Sequence, residues 1–278
     1  MLSLAFCNEL LAQEGLSFGE QCMRIASLGY DGIEIAPGAI AADPTSISDH
    51  DIASLRATVD GAGLHVTGLH WLLSAFPTLS ITRASSRDET ISVLKALNRL
   101  CAGLGGTVMV HGSPQQRVIE SDGHAAGFVN AREVFKPVAD HAAELGLTYC
   151  IEPLDPSQTA FINTIAQGAE LVQAVRNPAF KTMIDTSSAH FAETKPVADV
   201  IRTWLPTGQI GHIHLNDSNR GAPGMGKDPF DDIVRAISDC GWQRTVTVEP
   251  FRVQDNATNT ARIAIAAIRA IETQMGAA

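Results

Sequence analysis

The stretch GQIGHIHLNDSNRGAPGMG, Gly208–Gly226, decides how this chain is read. Its first half is rich in Ile and Leu and has the character of a buried strand. Strand alternation puts His212 and His214 on one side, facing inward. The second half breaks into a loop holding Asp217, Arg220 and the glycines Gly221, Gly224 and Gly226. A core strand that points imidazoles inward and opens into a loop with a guanidinium needs a chemical reason.

Working outward, comparable β-branched runs recur at 3–7, 32–36, 65–71, 107–111, 148–152, 181–185 and 245–249. With 211–216 they predict eight strands, each followed by a longer amphipathic segment. Capping-box spacings at Ser17/Glu20, Ser86/Glu89 and Thr164/Gln167 mark helix starts in those segments. Strict β/α alternation leaves a doubly wound sheet or a closed barrel. No G-x-G-x-x-G fingerprint follows the first strand, and GAPGMG after the seventh lacks a P-loop's Lys-Ser/Thr. The prediction is an α/β fold, a single (β/α)8 TIM barrel over residues 1–278.

Composition bounds the function. The 278 residues are 45% hydrophobic and 18% charged, ordinary for a soluble globular enzyme. A net charge of −10 works against tracking nucleic acid or anionic lipid. Five cysteines form no CxxC pair and fall in apolar segments, so they read as small buried hydrophobes. Neither a signal peptide nor a membrane span is expected, and the expected location is cytoplasmic.

A barrel places its chemistry at the C-terminal ends of its strands. His70, His111, Glu152, Asp185, His214 and Glu249 stand at six such ends. Three carboxylates and an imidazole converging there repel one another unless a cation neutralises them. We therefore expect one divalent ion, Mn²⁺, Co²⁺, Mg²⁺ or Zn²⁺, held by Glu152, Asp185, His214 and Glu249. His212 lies one layer deeper, in support of that site. His70 and His111 are open between substrate contact, a second metal and packing, and Glu34 reads as a buried ion pair. Arg117 and Arg252 are open between reaching an anion and plain surface or ion-pairing roles.

These residues resemble the xylose-isomerase-like barrel superfamily of sugar isomerases and epimerases, and within it the ketose 3-epimerase group. The resemblance spans nearly the whole chain and rests on IEPL (151–154), MID (183–185), GHIHLNDSNRGAPGMG (211–226) and VEPF (248–251). It implies that Glu152 and Glu249 are the acid/base pair as well as metal ligands, and that Arg220 contacts substrate hydroxyls. Ser188 stands where the family has a substrate-binding His, with His190 two positions later, and Gln158 stands where it has a Glu. Asp217 replaces a Glu in the loop after the seventh strand. The implied reaction is proton abstraction α to a carbonyl through an enediolate, on a ketose or keto-polyol; the implied assembly is a homodimer. Alternatives on the same barrel are hydroxypyruvate isomerases, keto-inositol or dehydroshikimate dehydratases, AP endonucleases and a non-catalytic sugar binder. The expected partner is a small sugar or keto-acid, with neither nucleic acid nor membrane.

Overall fold

The computed structural model describes residues 1–277. Eight strands, β1 (Leu4–Cys7), β2 (Gly32–Ile35), β3 (His65–Leu69), β4 (Val108–His111), β5 (Thr148–Ile151), β6 (Phe180–Asp185), β7 (Ile210–Leu215) and β8 (Val246–Val248), close in sequence order. Every neighbouring pair is parallel, and β1 pairs with β8 to complete the ring. This is the (β/α)8 TIM barrel that the strand spacing predicted. No helix among the described residues is long and apolar enough to cross a membrane.

Alternation sorts the side chains into two shells. Phe6, Ile33, Tyr149, Ile151, Ile184, Ile213 and Val248 face outward and join the large core beneath the helices. The alternate positions Cys7, Glu34, Cys150, Met183, His212, His214 and Thr247 face the barrel axis and are buried. Continuing that parity past the strand ends aims Glu152 and Glu249 inward, together with Asp185 at the end of β6.

The helix starts follow the capping chemistry with one exception. Ser17 and Thr164 form complete capping boxes with Glu20 and Gln167. Ser86 precedes the helix Arg87–Leu104, but its side chain makes no cap. A short 3-10 turn at Ala84–Ser86 carries the hydroxyl backward, where it donates to the carbonyls of Ser80 and Arg83. Four cysteines are buried, and Cys240 is partly exposed.

Candidate active site

At the C-terminal mouth of the barrel lies a cavity of about 390 Å³. Glu152, Asp185, Glu249, Asn216, Gln158, Ser188 and Arg220 contribute to its lining. Beneath it, donor atoms of Glu152, Asp185, His214 and Glu249 lie within 4.8 Å of one another, all buried. Gly112 makes room for this packing: a Cβ there would sit 2.0 Å from Glu152 Oε2.

The cluster is oriented from behind by Glu34. Ionised carboxylates only accept, so the imidazoles must donate to it. His214 Nε2 lies 2.9 Å from Glu34 Oε1, and His212 Nε2 lies 2.8 Å from Oε2. Thr247 Oγ1 donates to Oε2 at 2.7 Å. Burial alone would raise the Glu34 pKa, but the two histidines hold it well below the carboxylate range. Glu34 is thus the buried ion-pairing group expected from its place in β2.

Fixing the Nε2 proton of His214 leaves Nδ1 2.9 Å from Glu249 Oε2. Two acceptors at that distance require a proton or a metal ion between them. Burial would lower the His214 pKa, yet Glu249 and Glu34 carry it well above its ordinary value. Burial, then the charges of Glu249 and Asp185, hold Glu152 well above the carboxylate range. Glu249 is also raised by burial, despite the opposing pull of His214. Its Oε1 is buried with no partner. Acceptors crowded this closely, with one orphaned oxygen, fit a divalent cation.

Asp185 is held in place rather than free. Its Oδ1 accepts from the Ser188 backbone N–H at 2.6 Å, capping the helix Thr186–Ala192. Its Oδ2 accepts from Asn216 Nδ2 at 2.8 Å. Asn216 also bonds the Ser187 N–H and the Glu249 carbonyl, tying β6, β7 and β8 together. Sequence reasoning did not single out Asn216; its position two residues beyond His214 was the available signal.

The mouth of the cavity carries an aromatic wall. Trp71 stacks on Phe251 with ring centroids 6.0 Å apart, and Arg220 lies 4.2 Å over the Phe251 ring. Trp71 and Arg220 both take positive φ, 54° and 65°, costly for residues with a Cβ. The Arg220 carbonyl accepts from the N–H groups of Phe251 and Arg252, which locks the β7 and β8 loops.

Neither His70 nor His111, left open between substrate contact, a second metal and packing, lines the cavity, and His190 does not line it either. His111 shares its strand face with outward Met109 and packs against Phe135 with ring centroids 5.2 Å apart. Its Nδ1 faces Tyr149 Oη at 3.1 Å. His70 is fully buried below the mouth, bonded to Glu9. His190 is exposed, 3.4 Å from Asp228. Asp217, in the loop after β7, braces that loop by accepting the N–H groups of Asn219 and Asp228. A Cβ at Gly226 would come within 1.8 Å of Asp217 Oδ1, so the loop needs glycine there. Arg117 is neither a surface group nor an anion site. It is fully buried and donates to the carbonyls of Glu152 and His111 at the ends of β5 and β4.

Comparison with known proteins agrees with this architecture. Residues 22–272 match the family described as the xylose isomerase-like TIM barrel. The chain belongs to that family. Among xylose isomerase-like relatives, D-psicose 3-epimerase of Agrobacterium fabrum (strain C58 / ATCC 33970) is 29% identical over 242 residues, 84% of this chain and 79% of that protein. A probable ketose 3-epimerase of Synechocystis sp. (strain ATCC 27184 / PCC 6803 / Kazusa) is 32% identical over 255 residues, again 84% and 79%. The crystal structure of a D-psicose 3-epimerase in the presence of D-fructose superposes with a TM-score of 0.80 at 24% identity, covering 98% of both chains. That last likeness speaks for the fold.

Proposed function

We propose that the protein is a divalent-metal-dependent epimerase of unphosphorylated ketoses or keto-polyols, acting by proton transfer α to the carbonyl. The supporting observation is the placement of Glu152 and Glu249. Both carboxylates reach one cavity from strands three apart around the ring. Both are held above the ordinary carboxylate range by burial. Two carboxylates on either side of one cavity suit groups that must take up and return a proton. Held by Glu152, Asp185, His214 and Glu249, a divalent ion supplies Lewis-acid stabilisation of the oxyanion that deprotonation creates.

The other steps belong to the chain. One glutamate removes the C–H proton, and the other delivers a proton to the opposite face of the planar enediolate, inverting the centre. His214, fixed by Glu34, keeps Glu249 in register. Gln158, Ser188 and Arg220 offer hydrogen bonds for sugar hydroxyls at the mouth. Among the lining residues Arg220 is the one cation, and its guanidinium face stacks on Phe251. A phosphate would find little else to neutralise it, so the favoured substrate is uncharged. The Trp71–Phe251 wall gives an apolar surface for the C–H face of a sugar ring.

NMR in D₂O tests this reading. Metal-stripped protein is incubated with ketoses, keto-acids and inosose, and Mn²⁺ is then added. The expected result is Mn²⁺-dependent C–H to C–D exchange next to a ketose carbonyl, abolished in Glu249→Gln. Absence of exchange across the panel, with metal bound, would overturn it.

A further inference from the structure

Next to the cluster just described lies a second one, of which the proposed reaction uses Glu249 alone. Donor atoms of Cys7, Glu9, His70 and Glu249 also fall within 4.8 Å of one another, and all four residues are buried. Cys7 ends β1, Glu9 opens the following short helix, Glu249 follows β8 beside β1, and His70 follows β3 on the other side of β2, so the group is built across one arc of the barrel. We propose that it is a second metal site, taking a thiophilic divalent ion such as Zn²⁺ or Co²⁺, with Glu249 shared between the two sites.

The orientation of Glu249 argues for sharing. Its Oε2 faces His214 Nδ1 at 2.9 Å, while its Oε1 lies 4.0 Å from His70 Nε2. That Oε1 is buried and has no hydrogen-bond partner, and the same is true of Glu9 Oε1. Two orphaned carboxylate oxygens beside one imidazole and one thiol leave acceptor capacity that a cation would satisfy. His70 Nε2 now meets Glu9 Oε2 at 2.9 Å, so that bond opens when an ion enters between them.

The far side of His70 is already furnished. Its Nδ1 meets Cys7 Sγ at 3.8 Å and lies 3.8 Å from Glu34 Oε1, the oxygen that takes the Nε2 proton of His214. At that distance Glu34 acts on His70 through its charge and not through a hydrogen bond. Thiolate, imidazole and two carboxylates form a four-donor set suited to Zn²⁺ or Co²⁺ and poorly suited to Mg²⁺. Coordination releases the Cys7 thiol proton to solvent. Burial, then the nearby glutamates, otherwise hold that thiol well above its ordinary pKa.

One consequence rests on the proposed role of Glu249. With both of its oxygens committed, it is withdrawn from proton transfer, so the doubly loaded chain is the slower one.

The test is metal stoichiometry and spectroscopy on the full chain loaded with Co²⁺. Wild type should bind two ions and show a sulfur-to-cobalt charge-transfer band. Cys7→Ser and His70→Asn should each lose one ion, and Cys7→Ser should also lose the band. Asp185→Asn should lose the other ion and keep the band. Folding of each variant is checked by its thermal unfolding. A wild-type chain with one ion and no thiolate band overturns the second site and leaves the sugar-epimerase reading intact. Two ions with the thiolate band uphold the second site, and absence of exchange on any substrate in Cys7→Ser holding the first ion alone sinks the sugar-epimerase reading instead.

Discussion

On the side of the barrel formed by β2, β7 and β8, Glu34, His212, His214 and Thr247 fill the interior and satisfy one another by hydrogen bonds. On the side formed by β4, β5 and β6, Val108, Val110, Cys150 and Met183 form an apolar cluster separate from the outer core. The two proposed bases inherit these floors. Glu249 rises from the polar side and is gripped by His214. Glu152 rises from the apolar side, two residues beyond Cys150, and burial is the largest influence on its carboxyl. The difference teaches that one barrel can present two carboxylates of unequal character to a single cavity.

Replacing the bases gives the largest expected effect. Glu152→Gln and Glu249→Gln should each lower kcat by about 10²–10⁴-fold, the range for a positioned acid or base. The comparison predicts how they differ. Glu249→Gln also removes the partner of His214 Nδ1, so it should weaken metal binding more than Glu152→Gln does. Titrating each variant with Mn²⁺ measures this, and equal losses of affinity would erase the distinction between the two sides.

Glu34→Gln strikes the polar floor. It replaces an acceptor of three hydrogen bonds with a group that meets His N–H with its own N–H. Breaking a buried ion pair in this way costs about 3–5 kcal/mol. Metal affinity should fall by about 10–100-fold, as for other groups that orient a metal-binding histidine. Denaturant unfolding and metal titration read the two effects separately. Stability within 1 kcal/mol of wild type would show that the network is not what holds this side together.

Much of this was legible before any coordinates. The eight strands fell at their observed places because β-branched runs and turn signals recur at a barrel's spacing. The four clustered groups were found because they share a strand-end position and the inward parity. Parity also explains what failed. His111 ends β4 just as His214 nears the end of β7, but it is in step with outward Met109, and an ending alone does not reveal the face. Cys7 and Glu9 were invisible as neighbours of His70, since only the register of β1, β2 and β3 brings them together. The positive φ of Trp71 and Arg220, which erects the aromatic wall, follows from loop packing that local sequence does not encode.

The outward turn of His111 makes a smaller effect. Burial, then the Arg117 charge, depresses its pKa well below 6.5, so the folded chain keeps it neutral. Unfolded, the same ring takes a proton as pH falls below about 6.5. Its contribution to stability is therefore complete above that value and is lost as pH falls below it. The sign is set by the folded state binding fewer protons. Wild type minus His111→Phe isolates this term from the other histidines. The difference in unfolding free energy should shrink below pH 6.5, with a slope of at most about 1.4 kcal/mol per pH unit. A difference that stays flat from pH 7 to pH 5 would mean that His111 protonates within the fold.

The apolar side should yield least. Met183 belongs to a cluster without polar side chains, so what matters there is volume. Met183→Leu keeps that volume and should cost less than about 1.5 kcal/mol, the usual limit for such swaps. Its metal stoichiometry and kcat should match wild type, because the methionine touches none of the hydrogen bonds that orient His214 or Asp185. Unfolding and turnover measured on one preparation test both statements together. A tenfold loss of kcat with intact stability would show that the apolar floor sets the position of Glu152 or Asp185. The two sides of the barrel would then be equally exacting, one through hydrogen bonds and the other through packing.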